Sequence, residues 1–328
     1  MENQEILKRI QDLAKKYSST GQDLKSYLDG LLYSDYVGYW NYIHLETLLS
    51  LQNPKTDFPD EQIFILYHQI TELYFKLILI ELEQINYNGK RVLDTGQDLG
   101  WNLELNVDLF IEKLKRINRY FSHLINSFDI MILGMEKDQF LKFRMALLPS
   151  SGFQSVQYRM IEIHSSDFIN LTQLANKKQN TKSSIADLFP YLYWKVGAID
   201  LKTQKKTYTL TQFEKKYETK LIELSSNMQT RNIWQKYKEL SIENQSNKEL
   251  IKLMKEFDTN ININWCLSHY KSAIKYLKNK NSDIHATGGT NWQDYLPPKF
   301  QKIIFFPELW TNEEKKNWGK SWVDSITI

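Results

Sequence analysis

Residues Ile63–Ile85 read IFILYHQITELYFKLILIELEQI. Gln69, Glu72 and Lys76 fall on one narrow stripe at helical spacing, and the remaining faces are apolar. A helix of this pattern belongs at the centre of a bundle, with neighbours on several sides. The run is long enough to raise a membrane span, but Glu72, Lys76 and Glu81 interrupt it, which favours a buried soluble helix. Its start is marked by Pro59, Asp60 and Glu61, which suit a first helical turn, and its end by Asn88-Gly89.

The same period extends outward in both directions. Ile6, Ile10, Leu13 and Tyr17 mark an N-terminal helix, and Leu24, Leu28, Leu31 and Leu32 a second. Tyr39–Leu51 reads as a short third helix, stopped by Asn53-Pro54. Leu103, Val107, Phe110, Leu114, Ile117, Phe121, Ile125 and Phe128 step through a long amphipathic helix. Helical patterns continue over 153–175, 183–195, 211–226, 230–241 and 247–279, with Thr211-x-x-Glu214 as a capping box. Leu201–Leu210 reads as a hairpin or extended loop, and Asn176–Ser184 as a polar loop. The expectation is an all-α fold, residues 1–328 forming one large helical domain around a central bundle of long helices.

Composition narrows the function classes. A net charge of +3 over 328 residues gives no case for nucleic acid. The single cysteine, Cys266, excludes an internal disulfide framework and suits a reducing, cytoplasmic setting. The first residues, MENQEILKRIQDLAKK, lack the apolar core of a signal peptide. HExxH, CxxC, GxGxxG and P-loop motifs do not occur, so zinc-hydrolase and nucleotide-binding readings have no support.

Of six histidines, two lie on strongly apolar helical faces. His68 shares its face with Phe64, Thr71 and Phe75; His269 shares its face with Trp265, Ala273 and Tyr276. Each reads either as a satisfied core histidine or as one side of a haem site, with one histidine on the iron and the other across the macrocycle. Arg144 lies close to the turn Pro149-Ser150-Ser151-Gly152, where a new helix opens from Phe153. It reads as a carboxylate clamp or as a structural arginine. Adjacent glycines in ATGGTNW, Ala286–Trp292, allow close approach of backbone to a ligand, or make an ordinary loop.

Taken together, YWNYIHLETLLSLQ, DEQIFILYHQITELYFK, KFRMALLPSSGFQSVQYRMIE, WCLSHY, TGG and FFPELW resemble the tryptophan 2,3-dioxygenase family, in order, from Tyr39 to Trp310. The resemblance implies an all-helical homotetramer that binds haem b and converts L-tryptophan and O2 to N-formylkynurenine. It places His269 on the iron and makes His68 the catalytic histidine that accepts the indole N–H. Phe64 would pack on the indole, Arg144 would hold the carboxylate and Leu147 would line the pocket. Ser151 and Gly152 would sit near the dioxygen, and Thr287 would take the ammonium. Tyr39, Tyr42 and Ile43 would reach a neighbouring subunit's site, and residues 1–35 would make oligomer contacts. Phe140 matches a substrate-site position that is Tyr in some members, so one hydroxyl contact to the carboxylate is missing here. Ile43 stands where Leu is common, and ATGGTNW where GTGGSSG is usual. Two other functions remain open: a haem monooxygenase acting on another indole, and a non-enzymatic haem-binding or sensing protein. Arg144 and TGG favour an amino-acid substrate over the first; the second explains His269 alone.

Overall fold

A computed structural model describes residues 2–88, 105–150, 152–173, 184–196, 198–199, 205–278, 293 and 296–320. Ser151, Thr287, Leu103 and the 176–183 loop lie outside the described residues. Among those described there is no strand, and two isolated bridges, Thr172 with Leu192 and Ile199 with Lys206, are the sole β pairings. The chain is all-α. It divides into two compact units, Met1–Asn53 and Pro54–Ile328.

The first unit holds α1 (Glu2–Ser19), α2 (Leu24–Tyr33), α3 (Tyr39–Tyr42) and α4 (Leu45–Leu49). Asp23 caps α2 by accepting from the amides of Lys25 and Ser26. The single helix expected over Tyr39–Leu51 is two, because His44 takes a left-handed backbone with φ of 53°. Ile6, Leu7, Leu31 and Leu32 are exposed, and none of the unit's described side chains is buried.

The second unit is built around α5 (Pro59–Asn86). Pro59 occupies its first turn as expected. The acids beside it do more than face the helix dipole. Glu61 accepts from the amides of Lys55 and Thr56, both at 2.8 Å, and Asp60 accepts from the amide of Glu136 at 2.6 Å. Both carboxylates are buried and tie the helix start to neighbouring chain. Asn88, at φ of 55°, ends the helix where the sequence placed its stop.

Next come α6 (Val107–Ser127), α7 (Asp129–Ile132), α8 (Lys137–Phe143), α9 (Val156–Ser165), α10 (Ile185–Leu188) and α11 (Tyr193–Val196). They are followed by α12 (Tyr208–Met228), α13 (Ile233–Glu239), α14 (Ile242–Gln245), α15 (Lys248–Thr259) and α16 (Trp265–Leu277). Helix α5 packs against α6, α8, α9 and α13, and α15 packs on α6. Phe75, Ile78, Leu82, Phe110, Leu114 and Phe257 are all 2% exposed or less at the centre of the larger core. Glu81, read as a charge against a membrane span, is itself buried and pairs with Lys113 at 3.2 Å and Arg116 at 2.9 Å on α6.

Three local expectations need correction. Helix α5 is not enclosed on every apolar side: Ile70, Leu73 and Leu77 form an exposed stripe. Tyr208–Leu210 is the first turn of α12, not part of a hairpin, although Ile199 and Lys206 do pair just before it. The cap of α12 is Thr207, which accepts from the amide of Leu210, one turn ahead of the expected Thr211. Glu214 therefore does not close a capping box; it takes Lys195 at 2.6 Å and Lys206 at 2.8 Å.

Candidate active site

A second, smaller core sits where α5, α7, α8 and α16 meet. Tyr67, Phe128, Met131, Phe143, Leu267 and Tyr276 form it, and Phe64, Phe140 and Leu147 pack at its edge. Both histidines singled out from the sequence border this region. His68 is on α5 and stacks at 4.0 Å from Phe64, one turn earlier. Phe64 lies 6.3 Å from Phe140 and 5.9 Å from Phe143. His269 is on α16, with its ring 6.2 Å from that of Phe128.

The His68 tautomer follows from one contact. Its Nδ1 lies 2.7 Å from the Phe64 carbonyl. A carbonyl can only accept, so Nδ1 carries the proton and Nε2 presents a lone pair. Both imidazoles keep solvent-accessible surface while dense protein around them opposes their charging. Burial holds the His68 pKa below its ordinary value. Burial, and then the nearby His68, push that of His269 down to about 4. The two imidazoles are close enough for His68 to oppose the charging of His269, and each packs beside an aromatic ring of the smaller core.

Helix α8 ends at Phe143 and continues as a 3-10 turn, Arg144–Leu147. This places Arg144 in a buried position next to fully buried Phe143, and Leu147 half-buried. The Leu148–Pro149 peptide is cis. Gly152 follows, and α9 opens at Val156 rather than at Phe153, with the Ser155 hydroxyl as its cap. A methyl group added at Gly152 would lie 3.4 Å from Cε1 of His269. The turn therefore borders the His269 ring, and a glycine leaves that edge clear. Tyr39, Tyr42 and Ile43 belong to the Met1–Asn53 unit, where Tyr39 and Tyr42 are exposed and Ile43 is half-buried.

Several supporting residues were not picked out from the sequence. The Gln157 amide donates to both the carbonyl and the carboxylate of Glu72, each at 2.8 Å, and so fastens α9 to α5 one turn beyond His68. Asp258, fully buried on α15, accepts from the amides of Phe305 and Phe306 and from the Trp310 indole. That gives FFPELW a role in hooking C-terminal chain onto the helix that leads to His269. Nothing in the pattern marks Gln157 or Asp258 before their partners in distant sequence are known.

The fold is all-helical, two histidines pack beside one small aromatic core, and a glycine turn lies against the second of them. The family model for tryptophan 2,3-dioxygenase matches residues 22–286, and the chain belongs to that family. It is 38% identical over 130 residues to the tryptophan 2,3-dioxygenase of a Ruegeria species, covering 40% of this chain and 42% of the relative. It is 36% identical over 124 residues to that of Bacillus cereus, covering 38% of this chain and 39% of the relative. With that of Bradyrhizobium diazoefficiens it shares 27% identity over 281 residues, 85% of this chain and 92% of the relative.

Proposed function

We propose that this protein is a haem-dependent dioxygenase that opens the indole C2–C3 bond of L-tryptophan with O2 to give N-formylkynurenine. The observation that carries the reading is the pair of histidines, His68 and His269, held neutral by burial and packed beside one small aromatic core in a chain of this family. The donor chemistry suits haem b. A neutral imidazole is the ligand form that iron requires, and an apolar wall suits a macrocycle. His269 would hold the iron, and haem supplies the activation of dioxygen when bound.

The chain's own residues position the substrate. His68 Nε2 accepts the indole N–H, and Phe64 packs on the ring. Indole N–H is too weak an acid for a neutral imidazole to deprotonate first, so His68 orients and does not act as a general base. Arg144 holds the carboxylate from its buried position, with Phe140 contributing an apolar edge where a tyrosine would add a hydroxyl. Leu147 lines the pocket, Ser151 and Gly152 border the dioxygen, and Thr287 takes the ammonium. Fixing the zwitterion at both ends places the indole for reaction, which is a proximity effect.

The assembly proposed is a cytoplasmic homotetramer of single-domain chains. Helix α5 passes for a membrane span by length and composition. Its paired Glu81 and its α6 and α9 neighbours favour a soluble helix instead, and the exposed Ile70, Leu73 and Leu77 favour a second copy as their cover. The unburied apolar residues of α1 and α2 support the same role for residues 1–35. Tyr39, Tyr42 and Ile43 would then complete a neighbour's site.

Reduced protein mixed with L-tryptophan in air should develop the absorbance of N-formylkynurenine. A Soret band without product would sink the reading and favour a haem sensor. His68→Ala should keep measurable turnover with KM raised about tenfold, the worth of one hydrogen bond. A wholly inactive variant that still binds haem and tryptophan normally would contradict orientation as its role. Arg144→Ala should lower kcat/KM by roughly 100-fold, or about 3 kcal/mol, because a buried carboxylate loses its partner. Unchanged kinetics would remove Arg144 from the site.

A further inference from the structure

Helices α15 and α16 do not join as one regular α-helix. Between them, Asn260–Asn264 forms a π-helical turn, five residues before His269. A π turn accommodates one extra residue. One residue corresponds to about 100° of rotation around a helix, so the turn sets which way every later side chain points. Without it His269 would no longer point towards Phe128 and the Gly152 turn.

The turn is held from outside the helix. The Tyr158 hydroxyl, on α9, donates to the Ile261 carbonyl at 3.1 Å. Tyr158 is buried, and its ring packs 5.4 Å from that of Phe75 on α5. The Asn260 amide donates to Asn118 on α6 at 3.2 Å, and the Asn262 amide to Asp258 at 2.8 Å. Two of these contacts come from other helices, α9 and α6, and the third joins the turn to the end of α15.

We infer that the π turn is the device that aims His269, and that Tyr158 is a positioning residue which keeps it in register. The inference rests on the assignment of His269 to the haem iron. Tyr158 touches neither substrate nor haem in this reading; it acts through the Ile261 carbonyl. Because α9 also carries Gln157, which holds Glu72 beyond His68, one helix steadies the backbone behind both histidines.

The test is haem titration of the purified apoprotein, followed by Soret absorbance, with circular dichroism as the check on fold. Tyr158→Phe removes one hydroxyl and keeps the ring packing. It should leave helicity unchanged and weaken haem binding about tenfold, the scale of effect seen when a metal ligand loses its support. The same substitution is then made in His269→Gly, with free imidazole supplied as the ligand. Imidazole is not attached to α16, so there Tyr158→Phe should change haem affinity less than twofold. An equal loss in both backgrounds, or no loss in either, overturns the positioning role. If His269→Gly without imidazole binds haem as tightly as the parent, the assignment of His269 fails instead, and the two failures are told apart.

Discussion

His269→Ala is expected to lose haem while remaining folded. Haem affinity should fall by about 100-fold or more, equivalent to roughly 3 kcal/mol, and dioxygenase turnover should fall with it. The fold should survive because the ring keeps accessible surface and fills no core gap. Its accessible surface means that truncation leaves no sealed cavity of the kind that destabilises by several kcal/mol. The unfolding midpoint of the apoprotein in urea should therefore move by less than about 1 kcal/mol in stability. His164 provides the contrast. It is 2% exposed, its Nδ1 lies 2.7 Å from the Asn86 amide, and burial pushes its pKa down to about 4. His164→Ala should destabilise the fold, since it opens a cavity and strips a partner from Asn86. If instead His269→Ala lowers stability by several kcal/mol and leaves the haem affinity of the folded protein unchanged, His269 is a core histidine and the site lies elsewhere.

That contrast shows what the pattern of residues could carry. His68 and His269 stood out because polar side chains interrupted apolar helical faces, and both keep accessible surface beside the smaller core. His164 interrupts an apolar helix in the same way, yet it is a satisfied core residue. Periodicity places a side chain on a face but does not say whether that face meets protein or open space. The partners of a charge are hidden for a related reason. Glu81 read only as a charge against a membrane span; its partners Lys113 and Arg116 arrive from α6, beyond the reach of any local window. Thr211 and Glu214 had the spacing of a capping box, but Thr207 satisfies the same helix start one turn earlier. The π turn was invisible, since Asn260–Asn264 lies within a continuous helical pattern and one extra residue barely disturbs it. Long helices and their order were legible, as was the place of His68 and His269 on apolar helical faces. The anchors that aim those histidines depend on contacts between distant segments.

The largest stability effect is expected at one of these anchors. Asp258 is fully buried and accepts four hydrogen bonds: Phe305 N at 2.9 Å, Phe306 N at 3.2 Å, Trp310 Nε1 at 2.9 Å and Asn262 Nδ2 at 2.8 Å. Asp258→Ala leaves four donors in a dry interior. At about 1 kcal/mol or more for each, the loss should reach about 4 kcal/mol, a large part of the 5–15 kcal/mol that holds a typical domain. Asp258→Asn keeps one carbonyl oxygen and should lose roughly half as much. Acidity gives the sign of a second effect. Burial raises the Asp258 pKa from its ordinary 3.8 to about 6, ahead of the lowering by its hydrogen bonds. Between those values the folded protein holds a proton that the unfolded chain has released. This group's contribution to stability is therefore greatest in acid and falls as pH rises from about 4 to about 6, by on the order of 3 kcal/mol. In urea titrations the gap between the parent and Asp258→Ala should widen as pH is lowered through that window. A gap that narrows would mean that the four donors outweigh burial and hold the carboxylate ionised. Because Asn262 reaches Asp258 from inside the π turn, the alanine variant should also weaken haem binding at denaturant concentrations where the helices persist. A protein that lost only the FFPELW hook would keep its haem affinity there.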